Sequence, residues 1–153
     1  MQGIDDTDRR VLRLLQDDPD LPVSEIAARC GLSPGPCARR IERLARSGVI
    51  LGRRVEIDLR ALGYDVRVFL RVTLDKTATH AFDAFLAAAR ALPEVTAIET
   101  LLGRVDIRMD VVARDLAHYQ QIYRDRLLAL PHIAEIDALM LVSELKNSDR
   151  LPL

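Results

Sequence analysis

Four arginines, Arg39, Arg40, Arg43 and Arg46, crowd the segment SPGPCARRIERLARSG between Ser33 and Gly48. A guanidinium stays charged and carries a rigid fork of N–H donors, so its chemistry is the bidentate grip of a phosphate or a guanine edge. At about 100° per residue, Cys37, Ile41, Leu44 and Ala45 fall on one side of a helix. Arg39, Arg43 and Arg46 fall almost opposite. Such a helix plugs into a small core and holds a row of positive charge outward. Alone, the row also fits a solvated surface helix, because arginine is this chain's usual cation: Lys76 and Lys146 are its only lysines.

The elements that must hold this helix are legible around it. Asp5 or Asp6 can cap a first helix running to about Gln16, with Val11, Leu12 and Leu15 as its apolar face and Ile4 as a hydrophobic staple. DDPDLP, Asp17 to Pro22, then turns the chain. A second short helix, about Val23 to Cys30, points Ile26, Ala27 and Cys30 inward. Gly31-Leu32 makes the next turn, Ser33 caps the arginine helix, Pro34 takes its first position and Gly48 ends it. Two short helices, a glycine turn and an arginine-faced second helix point to a helix-turn-helix that grips DNA.

Charge distribution sharpens that reading. The chain has 153 residues and a net charge of −1, yet residues 29–54 hold seven arginines against Glu42 alone. Residues 1–28 hold three arginines against seven acids. Basic charge is therefore concentrated in the window of the arginine helix. The composition, 49% hydrophobic and 29% charged, is that of a globular chain with an aliphatic core. The acidic start and the lack of any apolar run near 20 residues argue against a signal peptide or a membrane span, so the expected location is the cytoplasm. Cys30 and Cys37 form no CxxC pair and read as small core residues. His80, His118 and His132 are scattered, without HExxH or GxSxG, so neither an enzyme nor a metal centre is expected.

From Leu51 to Gly63 the pattern changes, with Val55 and Ile57 alternating as in a short hinge strand that is available to pair with another chain. Then Val66 to Leu74 alternates as a strand, His80 to Leu92 is helical, and Val95 to Leu102 is a strand. After the loop Gly103 to Asp106, Val105, Ile107, Met109 and Val111 alternate as its hairpin partner. Asp115 caps a helix ended by Pro131, and a last strand covers about Ile133 to Leu145. This βαββαβ order predicts a ferredoxin-like sandwich with both helices on one face. The other face would carry Arg67, Phe69, Arg71 and Thr73, with either Leu139/Leu141 or Met140/Val142. An apolar open face predicts burial by a second copy of the chain. The fold class is α+β, in three parts: a winged-helix-like helix-turn-helix domain at 1–50, a hinge strand at 51–63 and the sandwich at 64–153.

Motifs along nearly the whole chain resemble the Lrp/AsnC family of transcription regulators, in its leucine-responsive branch. IDDTDRRVLRLLQDD is similar to the family's I-D-x-x-D-x-x-I/L-L-x-x-L-Q opening. SEIAARCGLSPGPCARRIERLARSGVI is similar to ELAxxVGLSPxxCxRRxxRLxxxGxI, and ALPEV and ELKNSDRLPL add to the likeness. The resemblance implies a homodimer that often builds tetramers or octamers and regulates genes of amino-acid metabolism or transport. It also implies an amino-acid effector bound between C-terminal domains, and no other cofactor.

On that reading the arginine helix enters the major groove by its N-terminal end. Ser33 and the first backbone amides would hold a phosphate. Gly35, Pro36, Ala38 and Arg39 would approach base edges, with Arg39 as the one bidentate reader. Arg40, Arg43 and Arg46 would hold phosphates, and Arg53 and Arg54 would extend the path. With so few polar readers, specificity should lean on DNA shape. The family's effector loop is usually Gly-Asp-aromatic-Asp, whereas this chain has Leu102, Gly103, Arg104, Val105 and Asp106. Asp106 would still meet an ammonium group, but Arg104 either favours an acidic ligand or removes amino-acid binding. The loop equally reads as a surface hairpin with no ligand.

Overall fold

The computed structural model describes residues 3–146 and 150–153, so the middle of ELKNSDRLPL lies outside the described residues. The chain divides into two units. The first ends at Glu56 and takes back Lys146 and residues 150–153; the second is Ile57–Leu145.

Three helices make the first unit: α1 (Asp6–Asp17), α2 (Val23–Cys30) and α3 (Pro34–Arg46). Asp5 caps α1, and a reciprocal capping box joins it to Asp8. Gly31 ends α2 at φ 69°, and Gly48 follows α3 at φ 75°, left-handed positions that a side chain would strain. Val11, Ile26, Ala27, Cys30 and Cys37 form the core, with Leu14, Leu15, Leu21, Leu32 and Ile41 packed on it. Leu44 is fully buried. Ala45, expected on the same face, is exposed, because the small core covers only the arc of α3 around Cys37 and Leu44.

The end of the chain packs on this unit. Arg13 Nε and Nη2 donate to the Leu153 carbonyl at 2.9 and 2.6 Å. Leu151 N–H donates to Gln16 Oε1 at 2.7 Å, and Arg150 pairs with Asp17 at 2.8 Å. Hydrogen bonds to the polar side of α1 thus decide where this segment goes.

Residues 51–57 form no strand; Leu51, Val55 and Ile57 are 95%, 88% and 60% exposed, and a single 3-10 turn follows at Arg60–Leu62. The expected hinge strand is absent in the single chain because a strand needs a ladder partner for its N–H and C=O groups. Among the described residues the first unit likewise has no wing strand.

The second unit has the order β1 (Val66–Leu74), α4 (Ala81–Arg90), β2 (Val95–Thr100), β3 (Ile107–Ala113), α5 (Leu116–Ile122) and β4 (Ile133–Met140). A π-helical turn, Tyr123–Leu127, prolongs α5. The antiparallel sheet runs β2-β3-β1-β4, the strand order of a ferredoxin-like sandwich. Val68, Leu70, Val72, Ile107, Met109 and Val111 meet Phe85 and Ala89 of α4 and Tyr119 and Ile122 of α5 in one core. The two helices therefore cover one face, as the alternation predicts.

The other face is not the apolar surface expected. Register pairs Phe69 with Leu139 and Val68 with Met140, which settles the open-face set as Leu139/Leu141. Ion pairs cross that face: Arg67–Asp110 at 2.9 Å, Arg71–Asp137 at 2.8 Å and Arg108–Glu99 at 2.6 Å. Phe69 takes the guanidiniums of Arg67 and Arg108 at 5.2 and 4.8 Å from its ring centre.

Candidate nucleic-acid interface and effector loop

Helix α3 presents its first turn to solvent: Ser33, Gly35, Pro36, Ala38 and Arg39 are all exposed. Ser33 is extended, at φ −81° and ψ 154°, but its hydroxyl makes no capping hydrogen bond, contrary to expectation. Pro34 starts the helix with no N–H to satisfy, so the turn forms without that bond. Arg39 folds back over this turn, with Nη1 3.6 Å from where a Cβ on Gly35 would lie. Among the described residues Arg39 has no ion-pair partner. Arg46 is 73% exposed and only loosely paired with Glu42, at 4.0 Å.

Arg40 and Arg43 are placed differently from the rest of the row. Arg40 Nη1 donates to Asp5 Oδ2 at 2.7 Å and to Asp8 Oδ1 at 2.8 Å. Arg43 Nη2 donates to Asp8 Oδ2 at 2.6 Å. Asp8 itself is fully buried on α1. Burial alone would push its carboxyl up, but hydrogen bonds from Arg43, from Arg40 and from the Asp5 backbone outweigh this and hold it below its ordinary value. Asp5 is also held low, first by the Asp8 backbone N–H and then by Arg40. Two of the three helix arginines expected on phosphates are thus spoken for within the unit. Asp8 shares the apolar stripe of Val11, Leu12 and Leu15 at helical spacing. That is the signal that could have found it, since a charge inside a buried stripe needs a paired partner. Gly3, Asp5, Pro36, Arg39, Arg40 and Arg43 line an open cleft beside the start of α3.

In the second unit, the loop before β3 is tied to β1. Asp106 accepts the Leu74 N–H at 2.9 Å and pairs with Lys76 Nζ at 2.9 Å, and both hold its carboxyl low. Its own N–H donates to the Val72 carbonyl at 3.0 Å, and Thr73 Oγ1 donates to the Arg104 carbonyl at 3.2 Å. Leu102, Gly103 and Arg104 are exposed, and Val105 is half-buried. Asp106, the acid expected to meet an ammonium, is already engaged in fixing the loop. Among the described residues no acid, histidine and cysteine cluster could hold a metal ion.

Comparison with known proteins decides what these two units are. Residues 4–50 match the winged helix-turn-helix DNA-binding model, and residues 67–151 match the Lrp/AsnC ligand binding domain. The chain belongs to the Lrp/AsnC family of transcription regulators. This Lrp/AsnC regulator is 37% identical over 131 residues to the proline dehydrogenase transcriptional activator of Rhodobacter capsulatus, covering 86% of this chain and 85% of that one. It is 32% identical over 150 residues to the leucine-responsive regulatory protein of Salmonella typhimurium, covering 98% and 92%. Among solved structures, a transcriptional regulator from Neisseria meningitidis in complex with L-Met superposes at TM-score 0.91, with 26% identity and 98% and 97% coverage. An AsnC family regulator from Agrobacterium tumefaciens gives 0.87 at 30% identity, covering 97% and 96%. The fold and DNA-binding class read from the Lrp/AsnC regulator's sequence therefore hold. No helix among the described residues is long and apolar enough to cross a membrane.

Proposed function

We propose that this regulator is a DNA-binding homodimer, itself a building block for tetramers or octamers, with no catalytic activity, acting in the cytoplasm on genes of amino-acid metabolism or transport. The start of α3 faces the major groove. Ser33 and the first amides of α3 take a phosphate, helped by the helix dipole. Gly35, Pro36 and Ala38 approach the bases, and Arg39 reads a guanine edge. Arg46 holds a phosphate, with Arg53 and Arg54 beyond it. The observation that carries this assignment is Arg39, exposed over the first turn of α3 and without an ion-pair partner among the described residues.

Substitution separates the roles. Arg39→Ala should cost about 1–3 kcal/mol on a selected duplex and relax preference at one position. Arg46→Ala should weaken selected and scrambled duplexes alike and make the salt dependence shallower. Uniform loss from both variants in electrophoretic titrations would remove Arg39 as a reader.

The effector is an amino acid or a close relative, bound near Leu102, Gly103, Arg104, Val105 and Asp106. The ligand-binding domain match and the L-Met complex of the Neisseria relative support this. Because Lys76 neutralises Asp106 and Arg104 is exposed, the loop suits a ligand's carboxylate better than its ammonium. A panel of amino acids followed by melting temperature should therefore give its largest upward shift with Asp or Glu. No shift at millimolar ligand would sink the effector role.

A further inference from the structure

Four charges close on one another at the junction of α1 and α3: Asp5, Asp8, Arg40 and Arg43. The capping box fixes the acids, since Asp8 N–H donates to Asp5 Oδ1 at 2.7 Å and Asp5 N–H to Asp8 Oδ2 at 3.2 Å. Both Asp8 oxygens receive a guanidinium, so either arginine that turns away takes an ion pair from a buried carboxylate. The side chains of Arg40 and Arg43 are 30% exposed, against 73% for Arg46. Both nonetheless line the same open cleft as Arg39 and Pro36, so release from the acids would bring them to the DNA side.

We propose that Asp8 is a positioning and specificity-determining residue for DNA recognition: it withholds Arg40 and Arg43 from phosphates. Affinity that ignores sequence grows with every phosphate neutralised, whereas base contacts alone discriminate. By subtracting two guanidiniums from the first kind of contact, Asp8 leaves Arg39 a larger share of the binding free energy. It also holds α3 against α1, fixing the angle at which the first turn is offered. The inference rests on α3 being the DNA-facing helix.

Salt titrations of the full-length protein on a random-sequence duplex and on a duplex selected from a random pool test this. Asp8→Asn, of the same shape but uncharged, frees Arg43 and leaves Arg40 to Asp5. The slope of log Kobs against log salt on the random duplex should steepen by about 0.9 for each bound helix. The ratio of selected to random affinity should fall. Restoring neutrality with Asp8→Asn and Arg43→Gln together, Arg40 staying with Asp5, should return the wild-type slope, an effect that a purely structural role for Asp8 would not produce. A slope for Asp8→Asn equal to or shallower than wild type overturns the proposal. If Asp8→Asn does not fold, the double variant decides, because it buries no unpaired charge. A wild-type slope there supports the proposal and a shallower one overturns it. Arg46→Gln and Arg39→Gln guard the premise: the first should flatten the slope and the second should lower the ratio of selected to random affinity, and if neither does, the reading of α3 fails and takes this inference with it.

Discussion

Asp8→Ala is expected to destabilise the helical unit by about 3 kcal/mol, the lower end of the cost of breaking a buried ion pair. The lower end applies because Arg40 keeps Asp5, and both arginines are exposed enough to regain water. For a unit of this size each kcal/mol moves the midpoint by roughly 4–8 °C, so calorimetry should show one transition falling by roughly 12–24 °C. The transition of the sandwich should stay in place. Acid should erase the difference. Asp8 is held below its ordinary value of 3.8 in the folded chain, so between the two values the unfolded chain binds more protons. Stability from this carboxylate is therefore complete above about pH 4 and is lost as pH falls through the folded value. Wild type and Asp8→Ala should thus draw together as pH falls below about 4 toward the folded value. An equal gap at pH 3 and pH 7 would mean that lost packing, and not lost charge, sets the cost.

Asp8 also shows where sequence reading reached its limit. Alternation in β1 and β3 exposed the sandwich core, because a period of two places Val68, Leu70 and Val72 on one face whatever surrounds them. Capping and glycine signals placed the three helices for the same local reason. A helical wheel gives the angle of Arg40 and Arg43 but not their partner, which lies 32 to 35 residues earlier in the chain. An acid in a first turn reads as a complement to the helix dipole, and only its place in the stripe with Val11 and Leu12 betrays burial. Asp106 repeats the lesson: its loop position suggested a ligand contact, while the Leu74 N–H and Lys76 that occupy it come from the end of β1 and just beyond. The open sheet face misled in the other direction. Leu139 and Leu141 look apolar along one strand, but cross-strand neighbours surround Phe69 with guanidinium and carboxylate groups. Such pairing is invisible until register is known.

Val55→Asp combined with Ile57→Asp is expected to lower affinity for a two-half-site duplex by about 10²–10⁴-fold while leaving the affinity of one helical unit for a single half-site unchanged. Val55 is 88% and Ile57 60% exposed in the single chain, in a stretch that alternates with Arg54 and Glu56 but joins no sheet. Alternating apolar residues with unpaired backbone are a template for another strand, and under the proposed homodimer the same stretch of a second copy supplies it. One row of apolar side chains then meets its copy across a two-fold axis, and carboxylates there would meet each other instead. Separated protomers lose the tether that makes the second half-site contact intramolecular, and with it the avidity. Sedimentation at the concentration of the DNA titration distinguishes the outcomes. Monomers with weakened two-site binding fit the proposal, whereas a dimer that persists with full affinity shows that residues 55 and 57 do not hold the protomers together. The spacing dependence carries a second check: only the wild type should prefer half-sites about one helical turn apart, since a monomer has nothing with which to measure the distance.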